Sequence, residues 1–200
     1  MIIKSLINMK KILTLCAVML VALTAAAQGK YEIKSGIAKT VTTVGDSKTE
    51  ATQYWDDYGA MECLKQRMDI PGLVSYDYYT ITKGNKAWFV TDTDGKKASK
   101  VFQNPTPDLN FLNITPAVEE KYNIKDFGGD TFLGKPCKKY TYETTQNRKK
   151  GLWTVWVYKG LILKSICVLG KRESVIEVVE LQENVPVPAE VFEIPDRGRE

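Results

Sequence analysis

The segment from Trp153 to Leu169, WTVWVYKGLILKSICVL, most constrains what this chain can fold into. Its residues are mainly β-branched, aromatic or aliphatic, which is the composition of β-strands. Lys159 and Gly160 interrupt the run, and glycine readily adopts the positive φ that a tight hairpin turn requires. The segment therefore predicts two antiparallel strands joined at Lys159-Gly160.

Two pairings of this hairpin are open. With a two-residue loop, Tyr158 opposes Leu161 and Trp156 opposes Leu163; with a bulge at Gly160 after a type I turn, the pairing shifts by one residue. In either pairing both faces are mostly apolar, and Lys164 is the main exception. A sheet that is apolar on both faces must be covered on both. We expect core packing there, or a pocket lined by one of the two faces.

Short strand-like segments separated by turn residues fill most of the remaining chain, and this spacing is typical of antiparallel β-structure. One segment differs, because Thr115 followed by Pro116 is a helix start, with an N-cap and a proline at the first helical position. We predict a helix over 117–123. The predicted strands besides the hairpin are 31–44, 49–59, 60–68, 75–82, 86–91, 98–102, 130–133, 137–145 and 175–182.

The N-terminus has the order of a secretory signal peptide. Met9-Lys10-Lys11 precedes an apolar run over 12–23, and Ala25-Ala26-Ala27 supplies small residues for cleavage. The apolar run is shorter than the ~20 residues that span a bilayer. Leu15 stands before Cys16 where a lipobox has a small residue, so no lipid anchor is expected. The chain is predicted to enter the periplasm as one domain over 28–200, beginning at Gln28.

Composition excludes several classes of function. The chain has no histidine, which removes the commonest general base, the commonest metal ligand and every histidine-dependent triad. Without the three lysines of the leader it has 25 basic and 24 acidic residues. No basic cluster is interleaved with aromatic residues, so no nucleic-acid partner is expected.

The cysteines and aspartates do not form a metal or catalytic motif. The cysteines after the leader are Cys63, Cys137 and Cys167, with no C-x-x-C, so neither a zinc site nor a redox dithiol is predicted. One disulfide and one free thiol are compatible with an oxidising compartment, with the pair left open. Asp56-Asp57 would diverge on a strand, and Asp92 and Asp94 in DTDG fit a hairpin turn. We predict no metal, no cofactor and no catalytic residue.

Four aromatic residues are candidates for lining an apolar cavity. They come from different predicted strands and are large enough to dominate either a core or a pocket wall. As core or strand-pair aromatics they need no ligand, and packing within the core is the favoured interpretation. The candidates are Trp88, Tyr140, Trp153 and Trp156.

The secretory leader, the antiparallel strands and the one helical insertion occur together with the segments GKPCKKYTYE, VWVYKGLILK and PAEVFEIP. In this combination the chain resembles the periplasmic lipoprotein-carrier superfamily, with its LolA/LolB-like fold and uncharacterised relatives. The resemblance covers most of residues 31–195. It implies a mainly β fold, with a curved antiparallel sheet as an incomplete barrel and a short helical lid. It also implies an apolar hollow that binds acyl chains. The characteristic arginine of the carriers is not identifiable here, so no site residue is transferred.

The sequence favours non-catalytic binding of an acyl chain, a lipid or a lipidated partner, with peripheral contact to a membrane as a further expectation. The alternative is an interaction module of the envelope whose interior is filled by its own side chains. An enzyme ranks third, because no set of titratable groups converges in the sequence. A pocket of several hundred Å³ would favour the first hypothesis, and a filled interior the second.

Overall fold

The computed structural model describes residues 29–70, 74–84, 86–93, 95–103, 108–146 and 149–195. The predicted leader and its cleavage site after Ala27 lie outside these residues, as does Asp94. Among the described residues no helix is long and apolar enough to cross a bilayer.

The described residues form one antiparallel sheet of eleven strands and a single α-helix. The strands are β1 (Gly36–Val44), β2 (Ser47–Asp56), β3 (Met61–Ile70), β4 (Val74–Lys83), β5 (Lys86–Thr93), β6 (Lys96–Gln103), β7 (Lys125–Phe132), β8 (Lys135–Gln146), β9 (Lys149–Tyr158), β10 (Leu161–Leu169) and β11 (Arg172–Glu183), and the helix α1 is Pro116–Tyr122.

The sheet is two meanders joined side by side. Its strand order is β6-β5-β4-β3-β2-β1-β11-β10-β9-β8-β7, so every neighbour is also next in sequence except β1 and β11. The pairing of Gly36 with Glu183 and of Val44 with Ser174 joins the first strand to the last. β6 and β7 are the two edge strands, and the sheet is not closed into a barrel.

The sheet curves around one of its faces. Thr80 of β4 and Trp153 of β9 stand six strands apart in the sheet order but line the same cavity. We call the face that carries these two residues the inner face and the opposite one the outer face. The predicted curved antiparallel sheet with a short helical lid is confirmed by this architecture.

The lid consists of residues 109–124 and covers the inner face over β8 and β9. Thr115 caps α1, because its hydroxyl accepts a hydrogen bond from the Val118 amide at 3.4 Å, and Pro116 opens the helix as predicted. The lid is held by a cluster of buried apolar side chains from both layers. Its members are Leu109, Val118, Tyr122, Ile124, Tyr140, Tyr142, Val155 and Val157.

A second cluster covers part of the outer face. The C-terminal 3-10 turn, Ala189–Phe192, lays Phe192 against Cys63, Ile81 and Val90 of β3, β4 and β5. Trp88 packs against this cluster. The two halves of the sheet are therefore covered on opposite faces, the first by the C-terminal turn and the second by the lid.

The central hairpin has the two-residue loop, with one correction. Lys159 and Gly160 both have positive φ, at 50° and 83°, and Tyr158 pairs with Leu161. Trp156, however, pairs with Lys164 and not with Leu163, because a bulge lies between Ile162 and Lys164. The extra residue lets Ile162 and Leu163, although adjacent, both line the cavity.

Most predicted strands differ from the observed ones by one to three residues at an end, and two differ by more. Residues 31–35 are not a strand, because the Tyr31 amide donates to the Tyr58 carbonyl at 2.9 Å and the Glu32 amide to the Lys159 carbonyl at 3.0 Å. The segment thus crosses the end of the sheet. β7 begins at Lys125, ahead of the predicted 130–133, and a bulge between Asp126 and Gly129 interrupts its pairing.

The remaining motifs are structural. Asp56 ends β2 and caps a 3-10 turn by accepting the Asp57 amide at 2.7 Å, so the two aspartates are not consecutive strand residues. Asp92 accepts the Gly95 amide at 3.0 Å, as in a hairpin turn. Cys63, Cys137 and Cys167 are all free thiols. Burial raises the pKa of Cys63 to about 11, which keeps it in the unreactive thiol form.

Candidate binding cavity

A cavity of about 330 Å³ lies on the inner face, between the sheet and the lid. This volume is at the lower end of the range of small-molecule pockets, roughly 300–1,000 Å³. Its walls come from β1–β4, from β8–β11, from Leu109 and Phe111 of the lid, and from the N-terminal Lys30 and Tyr31. Among the described residues that form these walls, Lys30 and Glu62 are the only charged ones.

One wall of the cavity is apolar. It is built by the second half of the sheet together with the lid, and the aromatic rings in it are packed against one another. Phe111 lies 6.0 Å from the ring of Tyr142, which stacks on Trp153 at 5.8 Å with an interplanar angle of 5°. The wall consists of Leu109, Phe111, Tyr142, Trp153, Ile162, Leu163, Ile176 and Val178, with Ser165 as a polar member.

The opposite wall is mostly polar. It is built by β1–β4, whose inner-face residues are largely threonine and glutamine. Among the residues that these strands contribute, Ala51 and Leu64 are apolar, and Cys63 also borders the cavity although its side chain packs in the cluster of Phe192 on the outer face. The polar residues are Thr40, Thr42, Gln53, Glu62, Gln66, Thr80 and Thr82. The cavity is therefore amphipathic, with an apolar half beneath the lid and a polar half beyond it.

A hydrogen-bonded ion pair forms part of the polar half. Lys30 Nζ lies 2.6 Å from Glu62 Oε2, and the Tyr31 hydroxyl donates to Glu62 Oε1. Both carboxylate oxygens of Glu62 are thus engaged. Burial, reinforced by the charge of Glu62, raises the pKa of Tyr31 well above its ordinary value, so this hydroxyl stays protonated at neutral pH.

The four aromatic candidates lie in three different places. Trp153 lines the apolar wall and donates its indole N–H to Thr144 Oγ1 at 2.9 Å. Tyr140 is buried in the cluster beneath the lid, with its ring 5.3 Å from Phe111, next to the cavity and not in its wall. Trp88 lies on the outer face against the cluster of Phe192.

Trp156 also lies on the outer face, because it alternates with Val155 and Val157, which point beneath the lid. Lys139 and Lys164 lie over its ring at 4.8 and 5.3 Å, and its indole N–H donates to Asp130 Oδ2 at 2.7 Å. The structure therefore brings Trp153 and Tyr140 together near the cavity and places Trp88 and Trp156 away from it.

Sequence reasoning missed the polar wall. Its signal is the alternation of threonine and glutamine with apolar or charged residues, as in Thr40-Val41-Thr42 and Thr80-Ile81-Thr82. A sheet with one face in solvent shows the same alternation, so this pattern does not distinguish a cavity wall from an exposed face. Only the curvature of the sheet, which turns these residues towards the apolar half, makes them part of a site.

Other features of the surface fit a binding site less well. A depression of about 610 Å³ lies beside the C-terminal 3-10 turn, but four of its ten lining residues, Asp56, Lys83, Lys97 and Glu193, are charged. Ligand sites are usually lined mainly by apolar groups. In the part of the chain that the structure describes, no three His, Cys, Asp or Glu side chains gather as they would around a metal ion.

Comparisons with known proteins found similarity in structure alone. No protein-family model matches the chain, and no curated protein matches it. Among solved structures, a LolA superfamily protein from Nitrosomonas europaea is 9% identical with a TM-score of 0.40, over 82% of this chain and 92% of that one.

LprF from Mycobacterium bovis is a second neighbour, 10% identical with a TM-score of 0.40 over 80% of this chain and 89% of that one. MucB in complex with MucA is a third, 12% identical with a TM-score of 0.40 over 80% of this chain. This chain spans about half of the MucB chain, 54%, and 30% of PNGF-II, a further neighbour. Identities this low carry no residue role from those proteins to this chain.

Proposed function

We propose that this protein binds an acyl chain of a lipid or lipidated molecule in the inner-face cavity, without catalysing a reaction on it. The observation that carries the proposal is a cavity of about 330 Å³ that the side chains leave open and whose wall beneath the lid is apolar. Each methylene group buried there contributes ~0.8 kcal/mol at most. Ten such groups would contribute about 8 kcal/mol, which corresponds to micromolar affinity before the costs of association.

The site favours binding over catalysis. The described residues give the cavity one carboxylate, Glu62, and both of its oxygens are already occupied by Lys30 and Tyr31. A general base or nucleophile needs a free group within reach of a substrate. The leader, with its predicted cleavage after Ala27, supports a place for this binding in the periplasm.

The test is displacement of N-phenyl-1-naphthylamine, an uncharged fluorescent probe, from delipidated protein by compounds with a lauroyl chain. We expect saturable displacement at micromolar concentrations. Native mass spectrometry of protein isolated from its own envelope would then identify a co-purified lipid. If lauroyl compounds of every head-group class leave the probe in place, the proposal of acyl-chain binding is wrong and the interaction module is the better hypothesis.

A matched pair of variants locates the binding. Ile176 lines the apolar wall, whereas Val179 on the same strand is 53% exposed on the surface. Ile176→Trp should fill the cavity and weaken displacement by at least ~10-fold, because a filled cavity leaves no room for the chain. Val179→Trp adds the same ring outside the cavity and should bind as the unsubstituted protein does. Equal binding by both variants would place the ligand elsewhere.

A further inference from the structure

The charge arrangement in the polar half of the cavity selects among head groups. A fatty acid, which is an anion at neutral pH, would bring a carboxylate into a cavity in which Lys30 is the only cation among the described lining residues. Lys30 is already paired with Glu62 at 2.6 Å. The anion would therefore lack a free counter-charge and would lie near the carboxylate of Glu62, and burying an unpaired charge is strongly unfavourable.

An uncharged polar head group needs no counter-charge and can form hydrogen bonds with the polar half of the cavity. The inner-face hydroxyls of Thr42, Thr80 and Thr82 can each donate and accept a hydrogen bond. Gln53 and Gln66 add side-chain amides to the same wall. This wall can satisfy hydroxyl, ester or amide groups without any change in the ion pair.

Resting on the proposed function, we propose that the cavity takes a single-chain amphiphile with an uncharged hydroxyl-, ester- or amide-bearing head and discriminates against the fatty-acid anion. The acyl chain lies in the apolar half beneath the lid, and the head lies against the threonines and glutamines of β1–β4. Glu62 acts as a specificity residue: it holds Lys30 so that this lysine is not available to an anionic ligand.

The volume supports one chain and not several. A cavity of about 330 Å³ is at the lower limit of known ligand pockets. A molecule with two or three acyl chains would need the lid to move away from β8 and β9, where Val118 and Tyr122 are buried. A single-chain ligand needs no such movement.

The experiment compares two ligands with the same chain, monolauroylglycerol and laurate, at pH 8 and below their critical micelle concentrations. Each displaces N-phenyl-1-naphthylamine from the delipidated full-length mature protein. We expect monolauroylglycerol to bind at least ~10-fold more tightly than laurate, which is the size of effect that a moderately unfavourable buried charge produces. The measured quantity is the ratio of the two affinities.

Two substitutions should move this ratio in opposite directions. Glu62→Gln frees Lys30 to pair with laurate and should lower the preference for monolauroylglycerol by ~10-fold. Lys30→Gln leaves Glu62 without its cation and should raise the preference. Glu180→Gln is the control, because Glu180 pairs with Lys39 at 2.6 Å on the outer face and should keep the ratio of the unsubstituted protein.

The outcomes separate this inference from the proposed function. Equal affinity for both ligands, or an unchanged ratio in both Glu62→Gln and Lys30→Gln, would overturn the head-group inference while acyl binding stands. Displacement by neither ligand would overturn this inference, and it would overturn the proposed function as well if lauroyl compounds with the other head groups also leave the probe in place. A ratio that shifts equally in Glu180→Gln would show a general effect of protein charge and would also overturn the role of Glu62.

Discussion

Tyr31 is a residue whose ionisation the fold opposes. Its ring is buried, it packs edge-on against Trp55 with ring centroids 6.0 Å apart, and its hydroxyl donates to Glu62. Its pKa is therefore well above the value of 10.0 for a tyrosine in the unfolded chain. A group whose pKa is higher in the folded state binds more protons there once the pH exceeds the unfolded pKa. The contribution of Tyr31 to the free energy of unfolding is therefore complete below pH 10 and is lost as the pH rises further.

Removing this hydroxyl should therefore have a pH-dependent effect on stability. At pH 7, Tyr31→Phe should lower the free energy of unfolding by ~1.5–3 kcal/mol, the usual contribution of a hydrogen bond to a charged group. Above pH 10 the difference between the two proteins should shrink. Tyr58→Phe, at an exposed ring, should change stability by less than ~0.5 kcal/mol. Urea unfolding at pH 7, 9 and 10.5 measures this, and a difference that is constant over the series would contradict the raised pKa.

At the scale of elements, the turn of the central hairpin joins three parts of the molecule. A Cβ on Gly160 would lie 2.4 Å from the Lys30 carbonyl oxygen and 2.9 Å from Leu112 Cγ of the lid. The hairpin turn, the N-terminal segment and the lid therefore meet at a position that only glycine can occupy. The turn positions both Lys30 and the lid relative to the cavity.

A pair of turn glycines tests this packing. Gly160 and Gly170 both have positive φ, 83° and 65°, but a Cβ on Gly170 would lie in open space. Gly170→Ala should cost ~1–2 kcal/mol from backbone strain alone. Gly160→Ala adds a clash with backbone and should cost ~3 kcal/mol or more. Chemical denaturation of both variants measures the difference, and equal costs would show that the contact of the turn with the N-terminal segment is unimportant.

The sequence predicted elements better than it predicted the site. Alternation and turn residues located the strands, and Thr115-Pro116 located the helix, because these signals are local. The bulge at Leu163 has no local signal, and it decides that Trp156 pairs with Lys164. Trp88 and Trp156 looked equivalent to Trp153, since composition does not tell which face of a curved sheet is concave. That choice depends on where the lid and the C-terminal turn pack.

At the scale of the whole molecule, a continuous sheet surrounds the inner-face cavity, which the side chains leave open. The lid covers β8 and β9, the C-terminal turn covers β3–β5 from the other side, and the cavity lies on the inner face between the two halves. The side chains that line the cavity lack packing contacts on one side, and a ligand can supply these contacts. A ligand that binds only the folded state should therefore stabilise the protein by mass action.

We expect monolauroylglycerol to raise the melting temperature of the delipidated protein. At a ligand concentration 100 times the dissociation constant the stabilisation is about 2.7 kcal/mol. For a chain of this size each kcal/mol shifts the midpoint by roughly 2–4 °C, so the expected rise is about 5–10 °C. Ile176→Trp should lose this rise because its ring occupies the cavity, whereas Val179→Trp should retain it. Differential scanning calorimetry over a ligand series measures the shift. A rise of the same size in Ile176→Trp would mean that the ligand stabilises the protein from a surface other than the inner-face cavity.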